Sequence, residues 1–192
     1  MDREREARLE AALRRTNHGD QQAFAELVEE HQAMVFSIAW HFLEDRSLAE
    51  DVAQEVFLEL FQKLTTIQSA AHLRYWLRRV SVHRAIDQGR RRKNRRESDI
   101  EEMPESVLAN PGACRGAQDP MLLKRMRQAL AALTEKQRMV VVLRYQEDLG
   151  PAEIAELMDM PVNTVKSTLH RSLEELRSRL ARRIGEVRYA FF

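Results

Sequence analysis

The side chains best suited to recognition chemistry cluster between residues 163 and 171, and that chemistry is hydrogen bonding to nucleic acid. The set comprises Asn163, Thr164, Lys166, Ser167, His170 and Arg171. Lysine and arginine donate to guanine or to phosphate, asparagine pairs with adenine, and hydroxyl groups reach phosphates. A helix through this segment presents the set on its outward face, so the sequence predicts a DNA-reading surface.

Two further segments carry charge of opposite sign. Residues 44–59 hold six acidic residues and one arginine, whereas residues 71–96 hold ten basic residues and one acid, Asp87. In a chain whose net charge is only +1, this separation indicates two partners of different character. Solvated charged faces are also common on helical proteins, and that interpretation stays open for both segments.

Motifs of catalysis and of metal binding are missing from the sequence. It contains no GxxxxGK[ST], GxGxxG or HExxH motif, and none of its six histidines follows a glutamate by three residues. Cys114 is the only cysteine and cannot form an internal disulfide. We therefore expect a protein that is not an enzyme, needs no cofactor or metal, and works in the reducing cytoplasm.

The segments that position these residues are predicted to be helical. Only 6 glycines and 5 prolines occur, and helix-forming residues dominate, so the predicted fold class is all-α. Residues 97–120 contain three prolines, two glycines and an acidic bias, which indicates a flexible linker between two small helical modules. We expect a charged N-terminal tail at 1–18 that forms a mobile or loosely docked helix, a first module at 19–96, and a second module at 121–192. The start of the sequence is charged, so we expect no signal peptide. The sequence has no long apolar run, so we expect no membrane span.

In the first module, apolar periodicity predicts three helices. The first starts after an N-cap at Asp20, the second spans about 48–64, and the third spans about 71–92, after a polar loop at 65–70. Phe57 and Phe61 are expected to face inward from the second helix. Trp76 is expected in the core, and the role of Tyr75 as core or stacking platform stays open.

In the second module, a short helix, a tight turn and a longer helix predict a helix-turn-helix. Thr134 and Gln137 have capping-box spacing, and Gly150-Pro151 separates two helices. The long helix, about 162–183, is expected to pack on the short one through Val165. An ordinary helical hairpin is the alternative at this point.

The second module resembles region 4 of bacterial sigma factors, above all the extracytoplasmic-function group, which keeps only regions 2 and 4. The resemblance rests on Leu133-Thr-Glu-Lys-Gln-Arg-Met-Val-Val-Val-Leu-Arg-Tyr, on Glu153-Ile-Ala, and on Thr164-Val-Lys-Ser through Leu169-His-Arg. It implies reading of the promoter −35 element and contact with the flap of the polymerase β subunit. Lys166, Ser167, His170 and Arg171 match the DNA-contacting positions.

The first module is similar to sigma region 2. The matching stretches are Asp20-Gln-Gln-Ala-Phe-Ala-Glu-Leu, Leu48-Ala-Glu-Asp51-Val-Ala-Gln54-Glu55-Val-Phe57 and Trp76-Leu-Arg-Arg-Val. The resemblance implies that Asp51, Gln54 and Glu55 bind the clamp helices of the polymerase β′ subunit. It also implies recognition and melting of the −10 element by the polar loop and third helix. The residues expected there are Thr66, Gln68, Ser69, Arg74, Arg78, His83, Arg84, Arg90 and Arg91. His83 departs from the asparagine that many members carry, so the −10 preference is expected to differ.

The two resemblances together imply an alternative sigma factor that binds core RNA polymerase and directs transcription from specific promoters. They also imply a stress or envelope response and an anti-sigma factor as a further partner, without direct insertion into a membrane. The rival hypothesis is a stand-alone helix-turn-helix regulator. It predicts a dimer that binds palindromic duplex DNA tightly without polymerase.

Overall fold

The computed structural model describes the backbone of residues 2–98 and 120–189, and across those ranges it is helical without a β-strand. The chain divides into two compact units, Met1–Asp99 and Ile100–Phe192. The predicted all-α fold class is therefore confirmed. Residues 97 and 98 continue a helix and residue 120 begins one, whereas the rest of the predicted linker lies outside the described residues.

Unit 1 contains four helices and a short 3-10 turn in its described part. They are α1 (Asp2–Asn17), α2 (Gln21–Leu43), α3 (Arg46–Lys63), the turn Leu64–Thr66, and α4 (Ala70–Ser98). The helix α2 packs against α1, α3 and α4. The helix α4 likewise packs against the other three, so α2 and α4 together form the centre of this unit.

Local capping residues set the ends of α2 and the start of α3. The Asp20 carboxylate accepts hydrogen bonds from the backbone N–H groups of Gln22 and Ala23, at 2.9 and 3.1 Å, which confirms the predicted N-cap. At the other end Glu44 is left-handed, with φ 52°, and its N–H donates to the Trp40 carbonyl at 2.8 Å. The next residue, Asp45, caps α3. The chain therefore reverses within two residues.

The far end of α4 closes over that reversal. The Arg92 guanidinium donates to the Leu43 carbonyl at 3.0 Å and lies 3.7 Å from the Asp45 carboxylate. One turn earlier, α4 passes so close to α2 that a Cβ atom on Gly89 would lie 3.0 Å from a ring carbon of Phe42. The glycine is what permits this close crossing.

Two phenylalanines of α3 that the sequence predicts to face inward do not do so. Phe61 is 57% exposed and Phe57 is half-buried. The buried residues of α3 are Ala49, Val52, Val56 and Leu60, which recur every three or four residues and form one stripe. Phe57 and Phe61 each follow that stripe by one residue, about 100° around the helix. The Phe61 ring makes an edge-on contact with Phe24 of α2, with ring centroids 5.3 Å apart.

The charged N-terminal segment, expected to be a tail with a mobile or loosely docked helix, is a helix packed into unit 1. Leu9, Ala12 and Leu13 of α1 are at most 8% exposed, so this helix has one apolar face despite its charge. Its cations pair with the neighbouring helix α2, where Arg5 and Arg8 bind Glu30. Burial together with ion pairing explains why this segment is part of the unit.

In its described part unit 2 consists of α5 (Pro120–Ala131), α6 (Glu135–Tyr145), α7 (Pro151–Leu157) and α8 (Val162–Tyr189). The capping box predicted at α6 is present, because Thr134 and Gln137 exchange side-chain to backbone hydrogen bonds. The Gly150 N–H in turn donates to the Glu153 carboxylate at 2.8 Å. Among the helices described here and in unit 1, none has the length and apolarity that a membrane crossing requires.

Candidate nucleic-acid and polymerase interfaces

A tight turn fixes α7 against α8. The Met160 N–H donates to the Ala155 carbonyl at 2.9 Å, and Asp159 between the helices is left-handed, with φ 51°. Ile154 of α7 and Val165 of α8 are fully buried, as expected for the contact between the two helices. This geometry is a helix-turn-helix, and it leaves the other side of α8 exposed.

The polar residues predicted to read DNA lie together on the first half of α8. Asn163, Thr164, Lys166, His170 and Arg171 are exposed, and Ser167 is half-buried. The Ser167 hydroxyl donates to the Thr164 carbonyl at 3.0 Å and accepts weakly from Arg171 at 3.5 Å. The His170 Nε2 lies 3.3 Å from the Glu174 carboxylate. The surface is therefore open and cationic at its centre, with one acid at its edge.

The acidic and amide residues of α3 form a single exposed stripe. Asp51, Gln54 and Glu55 are exposed, and at about 100° per residue they fall within one side of the helix. The same side continues towards the C-terminus with Leu58 and Phe61, which are 58% and 57% exposed. We call these five residues the α3 stripe. The sequence interpretation missed its apolar half, because it placed Phe61 in the core.

The loop between α3 and α4 is anchored by two apolar residues and by local hydrogen bonds. Leu64 and Ile67 are buried at 7% and 4% exposure, whereas Thr66 and Gln68 are exposed. The Thr66 hydroxyl donates to the Lys63 carbonyl at 2.7 Å. The loop therefore has a fixed backbone with polar side chains on its outer side.

Hydrogen bonds to the start of α4 complete this anchoring. The His72 N–H donates to the Ser69 hydroxyl at 3.1 Å, and the His72 Nδ1 accepts from the Gln68 N–H at 3.2 Å. Ser69, one of the residues expected to bind DNA, is half-buried and serves here as a helix cap.

The cations predicted to line the −10 region differ in their surroundings along α4. Arg74, Arg90 and Arg91 are exposed, whereas Arg78 and His83 are half-buried. The Arg78 Nε is buried and has no hydrogen-bond partner among the described residues, and Arg90 lies 3.8 Å from the Asp87 carboxylate. Tyr75 is 36% exposed. Trp76, predicted to lie in the core, is half-buried.

Arg84 is turned towards α3. Its guanidinium donates to the Glu59 carboxylate at 2.8 Å and lies 3.7 Å from Glu55. Hydrogen bonds from Lys63 and Arg84 lower the pKa of Glu59, against a smaller opposing effect of burial, and the same bond raises the pKa of Arg84. This ion pair joins α3, which carries the α3 stripe, to α4, which carries the cations.

His31 is a buried titratable group beneath the junction of α1, α2 and α4. It is 5% exposed, and its Nε2 has no hydrogen-bond partner among the described residues. Burial lowers its pKa, partly opposed by a hydrogen bond to the Glu30 backbone and by the Glu30 charge, while Arg74 and Arg5 lower it further. The neutral imidazole is therefore the form that this site favours. The described residues include no cluster of histidine, cysteine or acidic side chains fit to hold a metal ion.

Comparison with known proteins identifies the family. Residues 27–97 match the family model of Sigma-70 region 2, and residues 123–176 match that of Sigma-70, region 4. The chain is 31% identical over 175 residues to the ECF RNA polymerase sigma-E factor of Escherichia coli strain K12, covering 85% of this chain and 90% of the relative. The chain belongs to the ECF family of RNA polymerase sigma factors. It is also 28% identical to the ECF RNA polymerase sigma factor SigW of Bacillus subtilis strain 168, over 91% of this chain and 98% of that protein.

Two solved structures are similar to the chain in fold. The chain matches CnrH, solved with the cytosolic domain of CnrY, with a TM-score of 0.66 and 21% identity over 91% of this chain and 97% of that one. It matches RpoE of Bartonella quintana, solved with the anti-sigma factor NepR, with a TM-score of 0.67 and 21% identity over 82% and 96% of the two chains. This ECF sigma factor is thus an alternative transcription initiation factor, and its partners as a sigma factor are core RNA polymerase and promoter DNA.

Proposed function

We propose that unit 1 holds the β′ clamp helices of the polymerase through the α3 stripe, while unit 2 reads the −35 element and contacts the β flap. The observation that carries the proposal is the stripe itself, where Asp51, Gln54 and Glu55 are exposed side by side on one helix. Acidic and amide groups in this arrangement suit a partner helix rich in arginine and lysine.

The apolar half of the stripe supports the same assignment. Leu58 and Phe61 are more than half exposed, and large apolar side chains at the centre of a contact supply much of its binding energy. Phe61 is held by the edge-on contact with Phe24, so it is partly ordered before a partner arrives. We infer that the partner surface is basic opposite Asp51 and apolar opposite Phe61.

We propose that α8 enters the −35 major groove with its N-terminal half. Asn163, Lys166 and Arg171 are exposed on that half and are the types that pair with base edges or phosphates. Thr164, Ser167 and His170 complete the proposed contact. The rigid turn after α7 supports this role, because it holds the helix at a fixed angle for docking.

We propose that the loop at Thr66–Ser69 and the outer side of α4 bind the −10 element. Arg74, Arg90 and Arg91 are exposed and suited to phosphates, and His83 is retained from the sequence prediction. Arg78 is half-buried, and we propose that the exposed part of its guanidinium contributes positive charge to this surface. We assign Arg84 a structural role instead of a DNA contact. It binds Glu59 and thereby clamps α4 to α3.

We propose that an anti-sigma protein controls this factor, in a stress or envelope response. The support is that RpoE of Bartonella quintana was solved with an anti-sigma factor and CnrH with the cytosolic domain of CnrY. In this scheme the protein acts in the cytoplasm without entering the membrane and catalyses no reaction itself. Bond formation belongs to the polymerase.

The test is transcription from the DNA upstream of the protein's own gene, with purified core polymerase. We expect a defined start site that needs the protein and is lost in the variant Asp51→Ala/Gln54→Ala. The matched control is Glu29→Ala/Gln32→Ala, which removes an exposed acid and amide at the same spacing from α2. That control is expected to transcribe normally.

Two results would contradict the proposal. Equal transcription by both double variants would remove the α3 stripe from the polymerase contact. Tight binding to duplex DNA, with no polymerase-dependent transcript from any of several upstream fragments, would instead favour a stand-alone regulator.

A further inference from the structure

The N-terminus of α4 is capped by a side chain from a different helix. The Glu10 carboxylate of α1 accepts a hydrogen bond from the Ala70 N–H at 3.0 Å, across 60 residues of sequence. The first N–H groups of a helix have no partner within the helix, and the dipole favours a negative charge beside them. Ala70 is only 3% exposed, so the protein itself must supply that acceptor.

This cap lies at one end of the loop that we propose for the −10 element. The residue before Ala70 is Ser69, whose hydroxyl caps His72, and Gln68 is bonded to the same histidine through its N–H. The hydrogen bond from Ala70 to Glu10 therefore ties the end of the loop to α1. No other bond described here connects that end of the loop to a helix outside the α3–α4 connection.

The helix α1 is itself fixed in place. Arg5 and Arg8 bind Glu30 of α2, and Arg15 donates to Glu26 of the same helix at 2.7 Å. Together with the buried leucines of α1, these pairs make the Glu10 backbone a firm support. The Glu10 side chain is 32% exposed, and its nearest cation, Arg14, is 4.0 Å away, so the cap is its closest interaction.

We propose that Glu10 is a positioning residue for −10 recognition. It touches no DNA, but it sets the position of Gln68 and Ser69 relative to the rest of unit 1. This inference rests on the −10 role proposed for the loop. It assigns α1 a part in promoter selectivity, which the sequence interpretation of residues 1–18 as a tail did not include.

The experiment measures base discrimination by the holoenzyme. The probe is the labelled single-stranded −10 segment of the promoter that the transcription test proposed above identifies, compared with the same oligonucleotide carrying one substituted base. The discrimination ratio is the affinity for the first divided by the affinity for the second. For Glu10→Ala we expect this ratio to fall severalfold, up to about tenfold, because the position of the loop can lose no more than the free energy that the helix cap supplied. Glu10→Gln is expected to keep most of the ratio, because its amide oxygen still accepts from Ala70.

Three control variants separate positioning from stability. Glu6→Ala removes an exposed acid from the same helix, and Arg14→Ala removes the weak pair with Glu10. Asp20→Ala removes the N-cap of α2 and the ion pair with Arg15 of α1, so it tests whether a general weakening of the α1–α2 connection changes the ratio. All three are expected to leave the discrimination ratio and the affinity for core polymerase unchanged.

The outcomes distinguish this inference from the function on which it rests. An unchanged ratio in Glu10→Ala, alongside a reduced ratio in Gln68→Ala, would overturn the role of Glu10 and leave the loop assignment standing. An unchanged ratio in Gln68→Ala and Thr66→Ala as well would remove the loop from −10 recognition, and the role of Glu10 with it. A drop in Asp20→Ala equal to that in Glu10→Ala would show a general loss of stability and would also overturn the inference.

Discussion

Replacement of Arg84 by methionine tests whether this cation clamps two helices or neutralises a phosphate. The guanidinium donates to Glu59 at 2.8 Å, and the Arg84 side chain is 38% exposed while that of Glu59 is 18% exposed. Methionine keeps much of the apolar stem in contact with α3 and removes only the charge and the donors. Glu59 then retains its hydrogen bond from Lys63, at 2.7 Å.

The magnitude follows from this partial exposure. A hydrogen bond between charged groups contributes about 1.5–3 kcal/mol, but solvent screens Arg84 and Lys63 still partners Glu59. We therefore expect a loss near the upper end of exposed ion pairs, about 1 kcal/mol. In a unit of this size that loss lowers the unfolding midpoint by about 4–8 °C.

The pH dependence of that loss has a definite sign. The pKa of Glu59 is lowered from 4.5 by Lys63 and Arg84, so its charged form stabilises the folded state above pH 4.5. The difference between the wild type and Arg84→Met is therefore full at neutral pH. It shrinks as the pH falls through the lowered pKa, because the protonated carboxyl no longer attracts the guanidinium.

The assay is thermal unfolding of the whole protein followed by tryptophan fluorescence. Both tryptophans, Trp40 and Trp76, lie in unit 1, so the signal reports that unit. Arg91→Met is the matched control, since Arg91 is exposed. This variant is expected to keep the thermal unfolding midpoint. It is also expected to reduce the slope of log affinity for promoter DNA against log salt concentration by about 1. An unchanged midpoint in Arg84→Met, together with such a reduced slope, would refute the clamp and assign Arg84 to the DNA.

Three further changes have defined outcomes. Because burial lowers the pKa of His31 from 6.5, the stability of unit 1 should fall as the pH drops below 6.5. The variant His31→Leu should flatten that fall in fluorescence melts between about pH 7.5 and 5.5. An equally steep fall in the variant would contradict this role of His31. Gly89→Val places new carbons against Phe42 and should lower the free energy of unfolding, measured in urea, by about 1–3 kcal/mol. An unchanged urea midpoint would mean that the Phe42 ring moves aside freely. Lys166→Ala should weaken binding to −35 duplex by the holoenzyme and lower its salt slope by about 1, and an unchanged slope would exclude a phosphate contact.

Local signals in the sequence predicted the framework of the fold well. Asp20 and Thr134 were identified as caps because capping depends on neighbours within three residues. The end of α4 was placed near Arg92, although the helix continues to Ser98. Residues 93–98 include neither proline nor glycine, so nothing in them ends the helix. The acidic composition of the predicted linker led the sequence interpretation to end the helix too early.

Contacts between distant residues were not predictable in the same way. A run of arginines on α4 indicated phosphate binding, but the pairing of Arg84 with Glu59 depends on how α3 and α4 pack across 25 residues. The apolar residues of α3 cover a broad arc, so their spacing alone did not decide whether Phe61 or Val56 would be buried. The cap from Glu10 to Ala70 is longer in range still, and residues 1–18 gave no local sign of it. Whether the proposed DNA and polymerase contacts are correct stays a prediction.

The bond from Arg92 to the Leu43 carbonyl has a consequence for synthesis on the ribosome. The donor is made 49 residues after the acceptor, an interval of roughly 2–10 s at about 5–20 residues per second. Throughout that time the last turn of α2 in the nascent chain lacks this partner and frays more readily than in the finished protein. The local caps at Glu44 and Asp45 can form early, whereas this long-range bond is added only after most of α4 has been synthesised. A chain truncated before Arg92 would keep the local caps of this turn but lack the hydrogen bond to the Leu43 carbonyl.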